Sequence, residues 1–393
     1  MPIAIYLLGL AVFAQGTSEF MLSGLVPDIA RDLHVSVPAA GALTSAFAGG
    51  MIIGAPLTAI LSLRWPRRRA LLVFLVVFIL VHVVGAVTTD FDVLLASRVV
   101  AALAYAGFLA VGLATATGMA GPDARGRAAS VLLGGITLAC VAGVPAGALL
   151  GQLWGWRSAF WAVAVVSVPA VVAILRSVPA GAPDPAAPGA RRELRALRRP
   201  RLLGYLLLGA LVNGATFCTF TYLAPLVTDV TGYGTDWVPV LLALFGLGSF
   251  AGVTLGGRLS DSQPMRLLVP GGLALLAGWL LFAVTAEHAS VVFLLVFVQG
   301  TLSFAVGSTL VARALYAAVD APSLGGSFAT AALNVGAAVG PLLGGAAIGA
   351  GLGYRSPLWV SALLVAWAFL AAGLAWTVRG RVRTDPPGEV VAS

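Results

Sequence analysis

Long apolar runs follow one another along the whole chain and are separated by short polar segments. A run of about 20 apolar residues can cross the hydrocarbon core of a bilayer as an α-helix. The alternating polarity of membrane β-strands is not seen. The pattern therefore predicts twelve membrane-spanning helices, with bounds near 4–26, 38–62, 70–88, 94–118, 128–152, 158–177, 202–228, 237–257, 267–286, 290–312, 324–350 and 357–378.

The composition agrees with an all-α integral membrane protein, since 60% of the 393 residues are hydrophobic and only 10% are charged. The N-terminus has no basic segment before its apolar run, so the first run is expected to be a span rather than a removable signal. Cys140 and Cys218 both lie inside apolar runs, and we expect neither a disulfide nor a metal site nor a cofactor. His82 lies mid-span without a carboxylate neighbour and is interpreted as a packed, neutral histidine.

The distribution of arginine predicts the orientation in the membrane. All 23 basic residues are arginine, and assigning alternate loops to opposite sides places nineteen on one side. The other side receives only Arg31, Arg157 and Arg355, while Arg98 lies within a span. Basic loops stay in the cytoplasm. We therefore expect a multi-pass protein of the cell (inner or plasma) membrane with both termini cytoplasmic. The net charge of +8 reflects this topology and does not indicate nucleic-acid binding.

The chain consists of two similar halves. At an offset of 198 residues, Gln15-Gly16 aligns with Asn213-Gly214, and GWRSAFW (155–161) aligns with GYRSPLW (353–359). A Pro/Ala-rich and then arginine-rich segment lies between the halves. The predicted organisation is an N-terminal half at 1–177, a cytoplasmic linker at 178–201, a C-terminal half at 202–378 and a cytoplasmic tail at 379–393. Parallel repeats of this kind are typical of transporters whose substrate site lies at the midplane between the halves.

The loop after the second span of the second half, GRLSDSQPMR (257–266), resembles a cytoplasmic signature of the major facilitator superfamily. The resemblance implies the fold of that family, and a latch in which an aspartate at a helix end pairs with arginine. The first-half copy, AILSLRWPRRR (59–69), has Leu63 where the aspartate would be. Simple anchoring by positive charge explains the arginines equally well, but it does not explain the glycine and the aspartate. The predicted latch residues are Gly257, Asp261, Arg266, Arg67 and Arg68.

Small residues four apart mark the fifth and eleventh spans. In the fifth span Gly143, Gly147 and Gly151 are accompanied by Pro145, and the eleventh contains Gly340 and Gly344 beside Pro341. Such a stripe permits close approach of two helices, which is compatible with static packing. The segment GVPAGALLGQLWGWRSAFW (143–161) also resembles the antiporter signature of drug-exporting facilitators, which implies a gating role for these residues.

Two charged residues lie inside predicted membrane spans, where burying a charge is energetically unfavourable. Glu19 is the only carboxylate well inside a predicted span, and Arg98 lies several residues into the fourth span. With 3.6 residues per turn, Gln15, Glu19 and Ser23 share one face of the first helix. A carboxylate that moves between an apolar and an arginine-containing environment is suited to carry a proton. A permanently neutral, structural Glu19 and an Arg98 that reaches the membrane surface are the alternatives.

The stretch FAQGTSEFMLSGLVPDIARDL (13–33) resembles the first helix of drug:proton antiporters with twelve spans. The whole chain, including RGRAASVLLGG (125–135), is similar to actinobacterial chloramphenicol-resistance exporters. The resemblance implies proton-coupled export of a small antibiotic by alternating access, with Glu19 and Arg98 in proton coupling.

The expected partners are a small-molecule drug, protons and the lipid bilayer, with no nucleic acid and a monomeric state. An exporter of sugars or nucleosides is the alternative within transport. A membrane-embedded enzyme is disfavoured because no catalytic triad or metal-binding spacing is visible, and a receptor or channel would leave the repeat unexplained. Polar or aromatic residues within the spans form the expected substrate-binding set, namely Gln15, Tyr105, Asn213, Thr216, Tyr222, Gln299 and Asn334.

Overall fold

The computed structural model describes residues 2–62, 65–120, 124–178, 197–259, 264–318 and 325–382. Within these ranges it has twelve helices that are long and apolar enough to cross a membrane. This confirms the all-α integral membrane fold with two six-helix halves. The helices are α1 (Ile3–Gly24), α2 (Val37–Ser62), α3 (Arg67–Val87), α4 (Phe91–Met119), α5 (Arg125–Trp154), α6 (Arg157–Ser177), α7 (Pro200–Thr221), α8 (Thr235–Leu259), α9 (Pro264–Thr285), α10 (Ala289–Ala317), α11 (Gly325–Leu352) and α12 (Ser356–Val382).

Most of the predicted linker and most of the predicted tail, residues 179–196 and 383–393, lie outside the described residues. The division at 178–201 therefore stays a prediction.

The first helix of each half is interrupted at a corresponding place. In α1 the regular helix ends at Phe20, and in α7 it ends at Thr221, with short helical turns following in both. Pro27 lies in the first turn of the short helix Val26–Asp32 that follows, and Pro225 lies in the turn Leu223–Pro225. The regular helix is thus shorter than the apolar run in both halves.

The two halves pack in the same way. In the first half α1 packs against α5 and α6, α2 against α4, and α3 against α4 and α6. In the second half the same pattern joins α7 to α11 and α12, α8 to α10, and α9 to α10 and α12. The same pairs of helices therefore pack together in both halves, in agreement with the sequence repeat. Between the halves, α2 contacts α11 and α5 contacts α8.

Two hydrogen bonds between described residues join the halves. The Ser45 hydroxyl donates to the carbonyl of Ala338 at 2.7 Å, and the Gln152 amide donates to the carbonyl of Thr235 at 2.6 Å. Gln152 is near the end of α5, and Thr235 begins α8. We call the end of the bundle at which the odd-numbered helices finish and the even-numbered helices begin its far end. These two contacts lie between the middle of the bundle and the far end.

Glycines allow further close approaches between the halves. A Cβ added at Gly246 of α8 would lie 2.3 Å from the carbonyl oxygen of Cys140 of α5. One added at Gly41 of α2 would lie 2.3 Å from the hydroxyl oxygen of Tyr222. No side chain larger than hydrogen fits at either position without movement of the neighbour. The far end is therefore tightly closed in this conformation.

Candidate functional site

Arg98 is buried beside the interruption of α1. The carboxylate of Asp90 accepts a hydrogen bond from the N–H of Val93 at 2.9 Å and caps the start of α4, which places Arg98 about two turns into the helix. Arg98 is 1% exposed; its Nη1 donates to the Ser18 hydroxyl at 2.8 Å and its Nη2 to the Ser18 carbonyl at 2.6 Å. Its guanidinium carbon lies 4.5 Å from the centre of the Phe47 ring.

The interruption of α1 explains why this arginine binds here. Because the regular helix ends at Phe20, the carbonyl of Ser18 belongs to the last turn, where carbonyls have no partner within an α-helix. The C-terminal end of a helix also attracts cations. Arg98 therefore caps α1 from α4, and its charge is stabilised by a helix end and by an aromatic face.

Glu19 follows Ser18 and stays partly exposed. Arg98 acts on the Glu19 carboxyl electrostatically, and Glu19 in turn acts on Tyr105 and Cys140. Both Glu19 and Arg98 belong to the described residues, and no ion pair within 4.0 Å joins them. The structure thus brings the two predicted proton-coupling residues close to each other but leaves Arg98 bonded to Ser18.

Gln15 lies one turn before Glu19 on α1. Its side chain is 0% exposed, yet neither its amide nitrogen nor its amide oxygen has a hydrogen-bond partner among the described residues. Tyr105 of α4 is also buried, with its ring 6.2 Å from that of Phe47. Buried polar groups without partners are rare and costly. The Gln15 amide is therefore suited to hold a polar ligand.

The other predicted substrate residues bond within the second half. The amide nitrogen of Asn213 donates to the carbonyl of Leu333 at 2.7 Å, and the Tyr222 hydroxyl donates to the carbonyl of Pro341 at 2.9 Å. Gln299 donates to the carbonyl of Leu275 at 3.1 Å.

Thr216 and Asn334 each donate to a carbonyl one turn back on their own helix, at 2.9 and 3.0 Å. Each of these five predicted substrate residues thus has at least one polar atom committed to packing within its own half.

The glycine stripe of α5 faces α1. A Cβ at Gly143 would lie 2.0 Å from the Thr17 hydroxyl oxygen, and one at Gly151 would lie 2.4 Å from a methyl carbon of Leu25. One at Gly147 would lie 3.3 Å from Met21. Pro145 lies just after a π-helical turn, Ala139–Gly143, which accommodates the hydrogen bond that proline cannot donate.

The stripe of α11 faces α7 in the same way. A Cβ at Gly340 would lie 2.1 Å from the carbonyl oxygen of Gly214, and one at Gly344 would lie 2.8 Å from the Cys218 sulfur. Both stripes therefore pack within their own halves, each against the interrupted first helix. Their gating role stays a prediction.

The predicted latch is described only in part. Asp261 and Leu63 lie outside the described residues. Gly257 is exposed near the end of α8, and Arg266 is exposed near the start of α9. Arg67 reaches the carbonyl of Ala114 in the last turns of α4 at 3.5 Å, a long contact, while Arg68 is partly exposed. The latch therefore stays a prediction.

Ion pairs at the far end were not predicted from the sequence. Arg157 donates to the carboxylate of Asp32, which also accepts a hydrogen bond from the Trp156 indole at 3.1 Å. The bond from Arg157 holds the pKa of the Asp32 carboxyl below its usual value. Arg355, which aligns with Arg157 in the repeat, pairs with Glu287. The repeated arginine could have indicated this role, because it recurs within GWRSAFW and GYRSPLW.

Ser18 and His82 are further residues of the site that the sequence did not reveal. The Ser18 hydroxyl lies 2.6 Å from Nε2 of His82 on α3, and it also accepts a hydrogen bond from Arg98. The two residues are 64 positions apart. An apolar run with two serines and another with one histidine gives no indication that Ser18 and His82 meet.

Comparison with known proteins agrees with this architecture. The model of the family described as Major Facilitator Superfamily matches residues 8–326. The chain is 58% identical over 375 residues to a protein of Streptomyces lividans named "Chloramphenicol resistance protein", covering 95% of this chain and 96% of the relative. It is 36% identical to the "Inner membrane transport protein YdhP" of Escherichia coli K12, covering 92% of this chain and 93% of the relative.

A more distant relative and a solved structure complete the comparison. The chain is 28% identical to a "Probable sugar efflux transporter" of Helicobacter pylori, with 89% of this chain and 90% of the relative covered. The crystal structure of a bacterial homologue of the human lysosomal transporter Spinster, in an inward-facing and unoccupied conformation, superposes with a TM-score of 0.71 at 18% identity. That match covers 94% of both chains and concerns the fold alone.

Proposed function

The chain belongs to the major facilitator superfamily of membrane transporters, and we propose that it exports a small antibiotic, with chloramphenicol as the expected substrate, in exchange for protons. The similarity to a protein named for chloramphenicol resistance extends over almost the whole length of both chains and supports this substrate. The site requires no covalent chemistry. Its work is to bind a small molecule and a proton in two alternating conformations.

The proposal rests on the arrangement of Arg98, Ser18 and Glu19. Arg98 is fully buried and bonded to the end of the regular part of α1, while the partly exposed Glu19 carboxyl lies within its electrostatic reach. A buried charge of this kind must be paired or hydrogen-bonded, and it marks ion or proton pathways in membrane proteins. Arg98 therefore has two available partners, the Ser18 carbonyl and the Glu19 carboxylate.

The protonation state of Glu19 determines which of these two partners Arg98 binds. A proton on Glu19 neutralises it and leaves Arg98 bonded to Ser18, as in this conformation. Loss of that proton creates a carboxylate that attracts Arg98 away from Ser18. Because Ser18 and Glu19 lie at the interruption of α1, a change of partner acts on the helix segment that packs against the glycine stripe of α5. Proton binding and helix movement are thereby coupled.

The unpartnered amide of Gln15 and the hydroxyl of Tyr105 are the expected contacts for the drug. Chloramphenicol is a neutral aromatic amide-diol, which matches a mostly apolar pocket with a few polar groups. Because the drug is neutral, each exchange carries net charge inward, and the membrane potential favours export by about 2.3 kcal/mol per charge per 100 mV.

The arginine distribution supports a cytoplasmic location for both termini and therefore an extracellular far end. With the far end closed, the proposed substrate site does not open to the outside in this conformation. A monomer in the cell membrane is the expected form.

The proposal is tested by measuring accumulation of labelled chloramphenicol in cells that express the protein, with and without a protonophore. We expect low accumulation that the protonophore reverses, and loss of export in Glu19→Gln. Glu287→Gln is the matched control, because it neutralises an exposed glutamate whose ion pair among the described residues is with Arg355 at the far end. Full proton-driven export by Glu19→Gln would refute the assigned role of Glu19.

Sugar export is the second candidate, and the resemblance to a protein named as a probable sugar efflux transporter supports it. The same cells loaded with labelled sugars and nucleosides distinguish the two functions. Protonophore-sensitive export of a sugar, with chloramphenicol accumulating as in cells without the protein, would replace the proposed substrate and leave the fold and the coupling residues unchanged.

A further inference from the structure

His82 is a buried histidine that the proposed exchange does not yet use. It lies on α3, is 1% exposed, and packs with its ring 4.1 Å from that of Phe78 and 5.8 Å from that of Phe160. Both ring nitrogens have partners, since Nδ1 lies 2.7 Å from the carbonyl oxygen of Phe78 and Nε2 lies 2.6 Å from the hydroxyl oxygen of Ser18.

The partners determine which nitrogen carries the proton. A carbonyl only accepts hydrogen bonds, so Nδ1 must be the donor to Phe78. In the neutral imidazole Nε2 is then an acceptor, and the Ser18 hydroxyl donates to it. The lone pairs of the same hydroxyl oxygen face Arg98, whose Nη1 donates to it at 2.8 Å. A single series of hydrogen bonds thus runs from Arg98 through Ser18 and His82 to the backbone of α3, and each donor in it has one acceptor.

The neighbouring residue shows what Ser18 would do without His82. The hydroxyl of Thr17 donates to the carbonyl of Phe13, one turn back on the same helix, at 2.8 Å. Buried hydroxyls elsewhere in the spans do the same, as Ser167 does with Val163 at 2.8 Å. This is the ordinary choice for serine and threonine in a helix. His82 therefore draws the Ser18 hydroxyl away from its own helix and toward Arg98.

A charged imidazole would disrupt this series of hydrogen bonds. With both nitrogens protonated, Nε2 would donate to Ser18 and compete with Arg98 for its lone pairs. Arg98 on α4 is the charged group that acts on His82, and Arg98 also interacts with Glu19 on α1, whereas α6 presents the apolar ring of Phe160. The arrangement requires His82 to stay neutral and to serve as an acceptor.

We infer that His82 is a positioning residue of the proton-coupling site, which through Ser18 holds Arg98 on the end of α1. This inference rests on the proposed function, in which Arg98 alternates between Ser18 and Glu19. His82 strengthens the hydrogen bonding between Arg98 and Ser18. It thereby determines how strongly Arg98 competes with a proton for the Glu19 carboxylate. Loss of the acceptor would free Arg98 to pair with the Glu19 carboxylate, so that protonation of Glu19 would require a more acidic medium.

Infrared spectroscopy of the purified full-length protein tests this directly. The carbonyl band of the protonated Glu19 is assigned by its absence in Glu19→Gln, and its intensity is followed as the pH changes. The expected result for His82→Leu is a titration midpoint lower by about one pH unit, because Arg98 is then held less strongly by Ser18 and pairs more strongly with the Glu19 carboxylate. Ser18→Ala should shift the midpoint in the same direction, and the double variant should add little.

His82→Gln is the matched variant, because the terminal oxygen of glutamine can accept the Ser18 hydrogen bond where Nε2 does. It should restore the midpoint of the parent protein, and the melting temperature of each variant reports whether it folds. An unchanged midpoint in a folded His82→Leu, or an equal shift in His82→Gln, would overturn the positioning role while the proposed function stands. If no titrating band is removed by Glu19→Gln, the proposed proton carrier fails and the inference fails with it.

Discussion

The hydroxyl of Ser45 on α2 donates to the carbonyl of Ala338 on α11 at 2.7 Å and so joins the two halves. Ala338 aligns in the repeat with Cys140 of α5, whose carbonyl lies against Gly246 of α8. Both contacts between the halves therefore use the backbone carbonyl at the same repeat position. Since α2–α11 and α5–α8 are related in this way, both pairs must separate for the far end to open.

Gly41→Ala should disfavour closure of the far end. The added Cβ would lie 2.3 Å from the Tyr222 hydroxyl oxygen. Overpacking of this kind costs about 1–3 kcal/mol, which changes the ratio of two conformations roughly 5- to 150-fold. The population with a longer distance between spin labels at Leu153 and Leu352, both exposed at the far end, should increase.

Gly49→Ala is the control for this experiment, because a Cβ at that position of α2 meets no atom within 4 Å. Combining Gly41→Ala with Tyr222→Leu should return the short distance, since the clashing hydroxyl is removed. Equal distance distributions for Gly41→Ala and the parent protein would show that this contact does not limit closure.

Gly340→Ala should lower the melting temperature of the purified protein. The Cβ would lie 2.1 Å from the carbonyl oxygen of Gly214, which belongs to a helix backbone and cannot turn aside. The expected destabilisation is about 1–3 kcal/mol. Gly134→Ala on α5, where the added Cβ has no neighbour within 4 Å, should cause no loss. Equal melting temperatures for the two variants would mean that the stripe of α11 is not closely packed.

The ion pair between Asp32 and Arg157 should stabilise the protein at neutral pH but not in strong acid. The pKa of Asp32 is lower in the folded protein than its ordinary value of 3.8, mainly because of the hydrogen bond from Arg157. The contribution is therefore complete above 3.8 and is lost as the pH falls through the lower, folded value. The pair is partly exposed, and we expect less than about 1 kcal/mol.

Thermal unfolding of Asp32→Asn across this pH range measures the effect. The difference from the parent protein should be present at pH 7 and should vanish only below 3.8. Asp28→Asn is the control, because Asp28 pairs with an Arg31 side chain that is 76% exposed. A difference that grows toward acid pH would contradict the assigned direction.

Sequence periodicity predicted the twelve helices, and the internal repeat predicted two six-helix halves, because the first depends on local composition and the second on aligned residues. The stripes at Gly143 and Gly340 could be predicted for the same reason, as small residues four apart determine a helix face. The partner of Arg98 could not be predicted in this way. It depends on the interruption of α1 near Phe20, which exposes the Ser18 carbonyl, and on packing that brings α3 to the same place.

The contrast between two buried glutamines gives a test of the substrate site. Both amide atoms of Gln15 lack partners, and an unpaired buried polar group costs about 1–3 kcal/mol. Gln15→Leu should therefore leave the melting temperature unchanged or higher, while the dissociation constant for chloramphenicol rises about tenfold, or 1.4 kcal/mol. Gln299 keeps one hydrogen bond, to the carbonyl of Leu275, while its amide oxygen has no partner among the described residues, so Gln299→Leu should leave the dissociation constant near that of the parent protein. Calorimetry on the purified variants measures both quantities, and equal losses of binding in the two would remove Gln15 from its assigned role.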